Sequence, residues 1–223
     1  MPTNNGEFFF AGKGILAGPT AVTANTEMTV IWIGTMTTME TIGVNCECGA
    51  HHEPGHIVIA AVEGLPLKRE GLMVDPSGFG LACYHDAPEE SDLARERNIR
   101  AVLAGFAVEK RYREEQHYPA REEMDLTFNR DNVVARTLLG KLAGDYWAND
   151  RRLREQLNGL IEKHWLAIDA LALALLRRSW ETIKPLKSGG QWSAPNERMA
   201  KYLPAEEAVR ILAKHGIEAG VRD

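Results

Sequence analysis

The stretch His51-His52-Glu53-Pro54-Gly55-His56 runs without a break into the apolar segment Ile57-Val58-Ile59-Ala60-Ala61-Val62. Within it, His52, Glu53 and His56 form the pattern His-Glu-x-x-His. On an α-helix, residues four apart stand one above the other on the same face. Two imidazoles so placed can bind one zinc ion, and the glutamate between them can hold and deprotonate a water beside it. The apolar run that follows suits a buried helix able to support such a site. Proline is tolerated only in a helix's first turn. A motif helix from His52 to about Gly64, beginning near Ala50 or His51, is therefore expected, with Gly64 and Pro66 closing it.

Composition narrows the class. The chain has 223 residues, 44% of them hydrophobic and 26% charged, as in ordinary globular proteins. A formal net charge of -5 argues against a dedicated nucleic-acid binder, which carries a basic surface. Three cysteines, Cys46, Cys48 and Cys83, make no disulfide framework and suit a reducing compartment. Cys46-x-Cys48 reads as two incidental thiols in a loop, since no second pair accompanies it. No stretch holds the eighteen or so uninterrupted apolar residues that span a bilayer, and no early basic residues or small-residue cleavage site mark a signal peptide. A cytoplasmic location with no membrane span is the expectation.

Outward from the motif, residues 1–45 read as an irregular N-terminal extension with one short strand at Val30-Ile31-Trp32-Ile33. Gly12-Lys13-Gly14 lacks both the preceding glycine and the following Ser or Thr of a phosphate loop. Downstream, Lys68 to Asp75 and Gly80 to His85 form a small hairpin or pair of strands around Pro76-Ser77-Gly78-Phe79. Helices follow. Ser91 or Asp92 caps one running to about Glu115, with Ile99, Val102, Leu103, Phe106 and Ala107 at helical spacing. Inside it Ala104-Gly105 suggests the close approach of another backbone. A second begins near Asn129 or Asp131, with Val133, Val134, Leu138 and Leu142 as its apolar face. A long third helix, from about Asn149 to Arg178, carries Leu153, Leu157, Leu160, Ile161, Trp165, Ile168, Leu171, Leu173 and Leu175. Residues 184–197 read as a linker, and a short helix starts at Leu203-Pro204 and ends at Gly216. Three segments result: the extension 1–45, a main domain 46–182, and a linker with a short C-terminal helix, 183–223.

The order of these features resembles a known family. His52-Glu53-Pro54-Gly55-His56-Ile57-Val58, the strand region, Leu103-Ala104-Gly105-Phe106-Ala107-Val108-Glu109 and Asp131-Asn132-Val133-Val134-Ala135-Arg136 look like the zinc peptidase domain of FtsH-type ATP-dependent proteases. The likeness is closer still to small stand-alone proteins carrying that domain, and it covers roughly residues 50 to 178. The family has a small residue where Pro54 stands. The resemblance implies a mainly α fold, a helical zinc-peptidase-like domain with a small β-hairpin or short strands after the motif helix. It further implies Zn2+ held by His52, His56 and a carboxylate from a later helix, with Glu53 as general base. Asp131 is the best positional match for that carboxylate and Asp125 the alternative. Peptide or protein substrates are implied, and no Walker-type nucleotide site is found, so no ATPase module is expected. Homo-oligomerisation or a partner protein stays open. The competing expectation is a catalytically inactive peptidase-like protein that binds or regulates.

Overall fold

The computed structural model describes residues 39–120, 130–183 and 198–223. Its central element is helix α1, Met39–Val62. Ile57, Val58, Ile59 and Ala60 are all fully buried, so this stretch is apolar on every side, as befits a helix enclosed by its neighbours. Helix α2 (Asp92–Glu115) and the strands β1 (Leu67–Val74) and β2 (Gly80–Tyr84) pack around it. Two further helices complete the helical layer, α3 (Arg130–Leu139) and the long α4 (Tyr146–Leu176).

Two expectations for the motif helix are corrected. The helix starts at Met39, not near Ala50 to His52, and Pro54 therefore lies deep in its interior. Cys46 and Cys48 are consequently helical and buried, not loop thiols. An interior proline removes one backbone hydrogen bond, the one that would reach the Ala50 carbonyl, and crowds that carbonyl, at a cost of about 3 kcal/mol. Burial of Cys46, Cys48 and Ala50 before the proline, and of the Ile57–Ala60 run after it, holds the helix together across the defect. Packing here overrides local propensity.

The hairpin forms as the turn residues require. Asp75 Oδ1 accepts from the backbone N–H groups of Ser77 and Phe79, at 2.8 and 3.1 Å, and β1 pairs antiparallel with β2. The sheet is larger than a hairpin, however. Strands β3 (Glu181–Ile183) and β4 (Arg198–Leu203) add to it in the order β2-β1-β4-β3, and β5 (Val221–Arg222) runs parallel to the start of β1. Leu72 of β1 stands opposite Leu203 of β4, and both side chains are buried. Helix α5 (Ala205–Lys214) starts after Pro204 and lays Ala205, Ala208 and Leu212 against β1 and its surroundings. The C-terminal segment thus belongs to the same folded unit as the motif helix. The short strand expected at residues 30–33 and the linker at 184–197 lie outside the described residues.

Helix α2 opens at Ser91, whose Oγ accepts from the Ala94 N–H at 3.2 Å. Two apolar faces differ from expectation. In α3 the buried residues are Ala135, Leu138 and Leu139, while Val133 and Val134 are exposed. Val134 instead lines the cavity described below. In α4, Leu171 and Leu175 are buried but Leu173 is not. At about 100° per residue, Leu173 lies roughly 200° around the helix from Leu171, on its far side. Near its middle α4 kinks at His164, whose φ and ψ of -110° and 15° leave the helical region.

Candidate metal centre

Three elements bring the site together. Helix α1 supplies His52, Glu53 and His56, α3 supplies Asp131 from its first turn, and α2 forms the floor between them. The spacing of His52 and His56 stacks their rings on one side of α1, with centroids 4.9 Å apart. Their Nε2 atoms face Asp131 Oδ2 at 3.3 and 3.4 Å, respectively. One ligand atom from each of the three residues lies within 4.8 Å of the others.

Each imidazole is held by its other nitrogen. His56 Nδ1 lies 2.8 Å from the Ala101 carbonyl oxygen, which can only accept, so Nδ1 carries the proton. His52 Nδ1 lies 3.0 Å from Glu109 Oε2, and Glu109 Oε1 accepts from Arg113 Nε at 2.9 Å. Both arrangements turn the Nε2 atoms inward, where each offers a lone pair once its proton is lost. Glu109 is buried, 4% exposed, and its hydrogen bonds to His52 and Arg113 compensate its removal from water.

Glycines shape the space around these groups. A Cβ on Gly105 of α2 would fall 2.4 Å from both Nε2 atoms. The cradle for an ion is therefore a missing side chain. The expected close approach of a second backbone is found one residue away, where Gly55 of α1 sits against the Ala104 carbonyl. On β2, a Cβ on Gly80 would fall 2.6 Å from Glu53 Oε1, so this strand can press against the carboxylate only as glycine. A cavity of about 530 Å³ opens over the group, lined by His52, Glu53, His56, Tyr84, Asp131 and Val134.

The side chains of His52, His56 and Asp131 could together hold a metal ion. A tetrahedral ion with bonds of about 2.0–2.2 Å spaces its ligand atoms about 3.3–3.6 Å apart. The two Nε2–Oδ2 distances match those edges. Two imidazole nitrogens and one carboxylate also leave a fourth position for water.

Charges in the metal-free chain follow from this crowding. Burial opposes protonation of His52, but its hydrogen bonds with Asp131 and Glu109 outweigh that and raise its pKa to about 10. His56 is raised too, its Asp131 contact overcoming the effect of burial. Burial alone would raise Asp131, yet the two histidines hold it far below the usual carboxylate range. Burial pushes Glu53 upward, only partly countered by His52 and His56, toward the range useful to a general acid–base group.

All four residues singled out from the sequence thus meet at one place: His52, His56 and Asp131 as a group that could hold a metal ion, Glu53 beside them. Asp125 lies outside the described residues. His51 turns elsewhere, stacking on Tyr112 with centroids 3.6 Å apart and bonding the Glu47 carbonyl through Nδ1 at 2.8 Å. Cys46 and Cys48 stand about 200° apart around α1 and cannot close on one ion. The contributions of Glu109, Gly80 and Tyr84 were not singled out from the sequence. The four-residue interval between Gly105 and Glu109, setting both on one face of α2, was the signal available for the first of them. Comparison with protein-family models, characterised proteins and solved structures finds no match for this chain.

Proposed function

We propose that this protein is a zinc-dependent metallopeptidase, a stand-alone relative of the FtsH-type peptidase domain, hydrolysing peptide bonds in peptides or unfolded protein segments. The observation carrying this reading is the approach of Asp131 Oδ2 to His52 Nε2 and His56 Nε2 at 3.3 and 3.4 Å, with Glu53 next to His52 in the chain. Zinc bound there supplies Lewis acidity and makes water nucleophilic near neutral pH. Glu53, held against Gly80, accepts a proton from the attacking water and passes it to the departing amine nitrogen. Its raised proton affinity suits both halves of that transfer. Glu109 and Ala101 O fix which nitrogens of His52 and His56 face inward. Asp131 completes the ligand set from a separate helix, so the site requires the folded chain.

The test compares hydrolysis of a casein or quenched-peptide library by wild type and Glu53→Gln, both carrying one zinc per chain. Wild type should cleave and the variant should be slower by about 10²–10⁴-fold, the usual contribution of a general base. Equal rates in the two zinc-loaded proteins leave a peptidase-like binding or regulatory protein as the reading.

A further inference from the structure

Strand β2 presents Gly80, Ala82 and Tyr84 on one face, by the two-residue period of a strand. That face looks onto the site, because Gly80 abuts Glu53 and all three residues line the cavity. The Tyr84 ring stands beside His56, with centroids 6.5 Å apart, and packs on Ala60, Leu65 and Ala101. It is held in place by apolar neighbours on α1 and α2. Its hydroxyl makes no hydrogen bond to any described residue, and the residue lines the cavity. A polar atom on a fixed ring, beside a ligand set and without a structural partner, is poised to serve a ligand.

We infer that Tyr84 is a catalytic residue of the proposed peptidase, donating its O–H to the carbonyl oxygen of the scissile bond as that oxygen becomes an oxyanion. The inference rests on the peptidase reading. In the step concerned, water oxygen bonds to the carbonyl carbon while the C=O π pair moves onto oxygen. The water proton goes to Glu53. The negative charge formed accepts a hydrogen bond from Tyr84, and the C–N bond then breaks as Glu53 returns the proton to nitrogen. Peptide and water give acid and amine, with no other reactant. A phenol keeps its proton at neutral pH and can donate its O–H. A pre-placed donor of this kind acts where charge develops and needs no reorganisation.

Tyr84→Phe removes the hydroxyl and keeps the ring. Zinc-loaded Tyr84→Phe should show kcat lowered by about 10²-fold with KM unchanged, as for loss of one oxyanion donor. A phosphonamidate peptide, whose tetrahedral oxygen mimics the oxyanion, should bind the variant more weakly by the same factor in calorimetry. Zinc stoichiometry and thermal midpoint should match wild type. A kcat within about twofold of wild type overturns the inference, as does a loss that tracks lowered zinc content or thermal midpoint. Wild type no faster than Glu53→Gln overturns the peptidase reading and this inference with it. An active wild type matched by Tyr84→Phe overturns this inference alone.

Discussion

Gly105 decides at the residue scale whether an ion can enter. Its missing side chain leaves room for two Nε2 atoms that a Cβ would meet at 2.4 Å. Gly105→Ala should abolish zinc binding measured by metal analysis while the helical circular-dichroism signal persists, because alanine itself favours a helix. Glu109 acts one bond further out. Glu109→Gln loosens the hold on His52 Nδ1, and zinc affinity should fall about 10–100-fold in competition titrations. Acidity also enters here. In the metal-free chain the His52 pKa is raised from 6.5 to about 10. The stabilisation by its acidic partners is thus complete below 6.5 and is lost as pH rises through about 10. Zinc bound as proposed would displace that proton, so its apparent affinity should rise with pH across this window, by up to about tenfold per unit for each histidine proton released. Calorimetry near pH 6, 7 and 8 reads this directly; a flat profile contradicts it. His52, Glu53 and His56 were legible in the sequence because helical spacing alone joins them. Glu109 was not, because a carboxylate on α2 gains its role only when another helix brings an imidazole to it.

At the scale of elements, α1 is the instructive case. Its apolar run was legible from Ile57 onward, but its start was misplaced because Pro54 reads locally as a boundary. The helix continues upstream since Cys46, Cys48 and Ala50 bury their side chains, a tertiary gain that local propensity does not contain. Proline is about 3 kcal/mol less favourable than alanine inside a helix, so Pro54→Ala should raise the unfolding free energy by up to about that amount. Chemical denaturation of the metal-free chain measures it, and a destabilised variant would show that the proline fits its place. The strand pair and the caps of α2 were legible because turn and capping chemistry is local: Asp75, Gly78 and Ser91 act within a few residues. The exposed Val133 and Val134 were not, since on so short a helix only the neighbours decide which side is inner.

For the whole molecule, the mainly α class was readable from periodicity, whereas the five-stranded sheet was not. Strand β4 and helix α5 join β1 over more than a hundred residues of intervening chain, and no spacing rule carries that information. Leu203, fully buried opposite Leu72, tests this integration. Leu203→Ala should cost about 2–5 kcal/mol in one cooperative unfolding transition; a cost near zero would mean that the C-terminal segment contributes little. Among the described residues no helix is long and apolar enough to cross a membrane. The metal centre is itself a property of the whole, because α1, α2 and α3 must meet to build it. X-ray absorption at the zinc edge of the loaded protein is therefore the most direct measurement. Four nitrogen or oxygen neighbours are expected at about 2.0–2.2 Å, two of them with imidazole scattering, in a shell that Asp131→Ala alters. A sulfur shell near about 2.3 Å, or a spectrum that Asp131→Ala leaves unchanged, would contradict this ligand set.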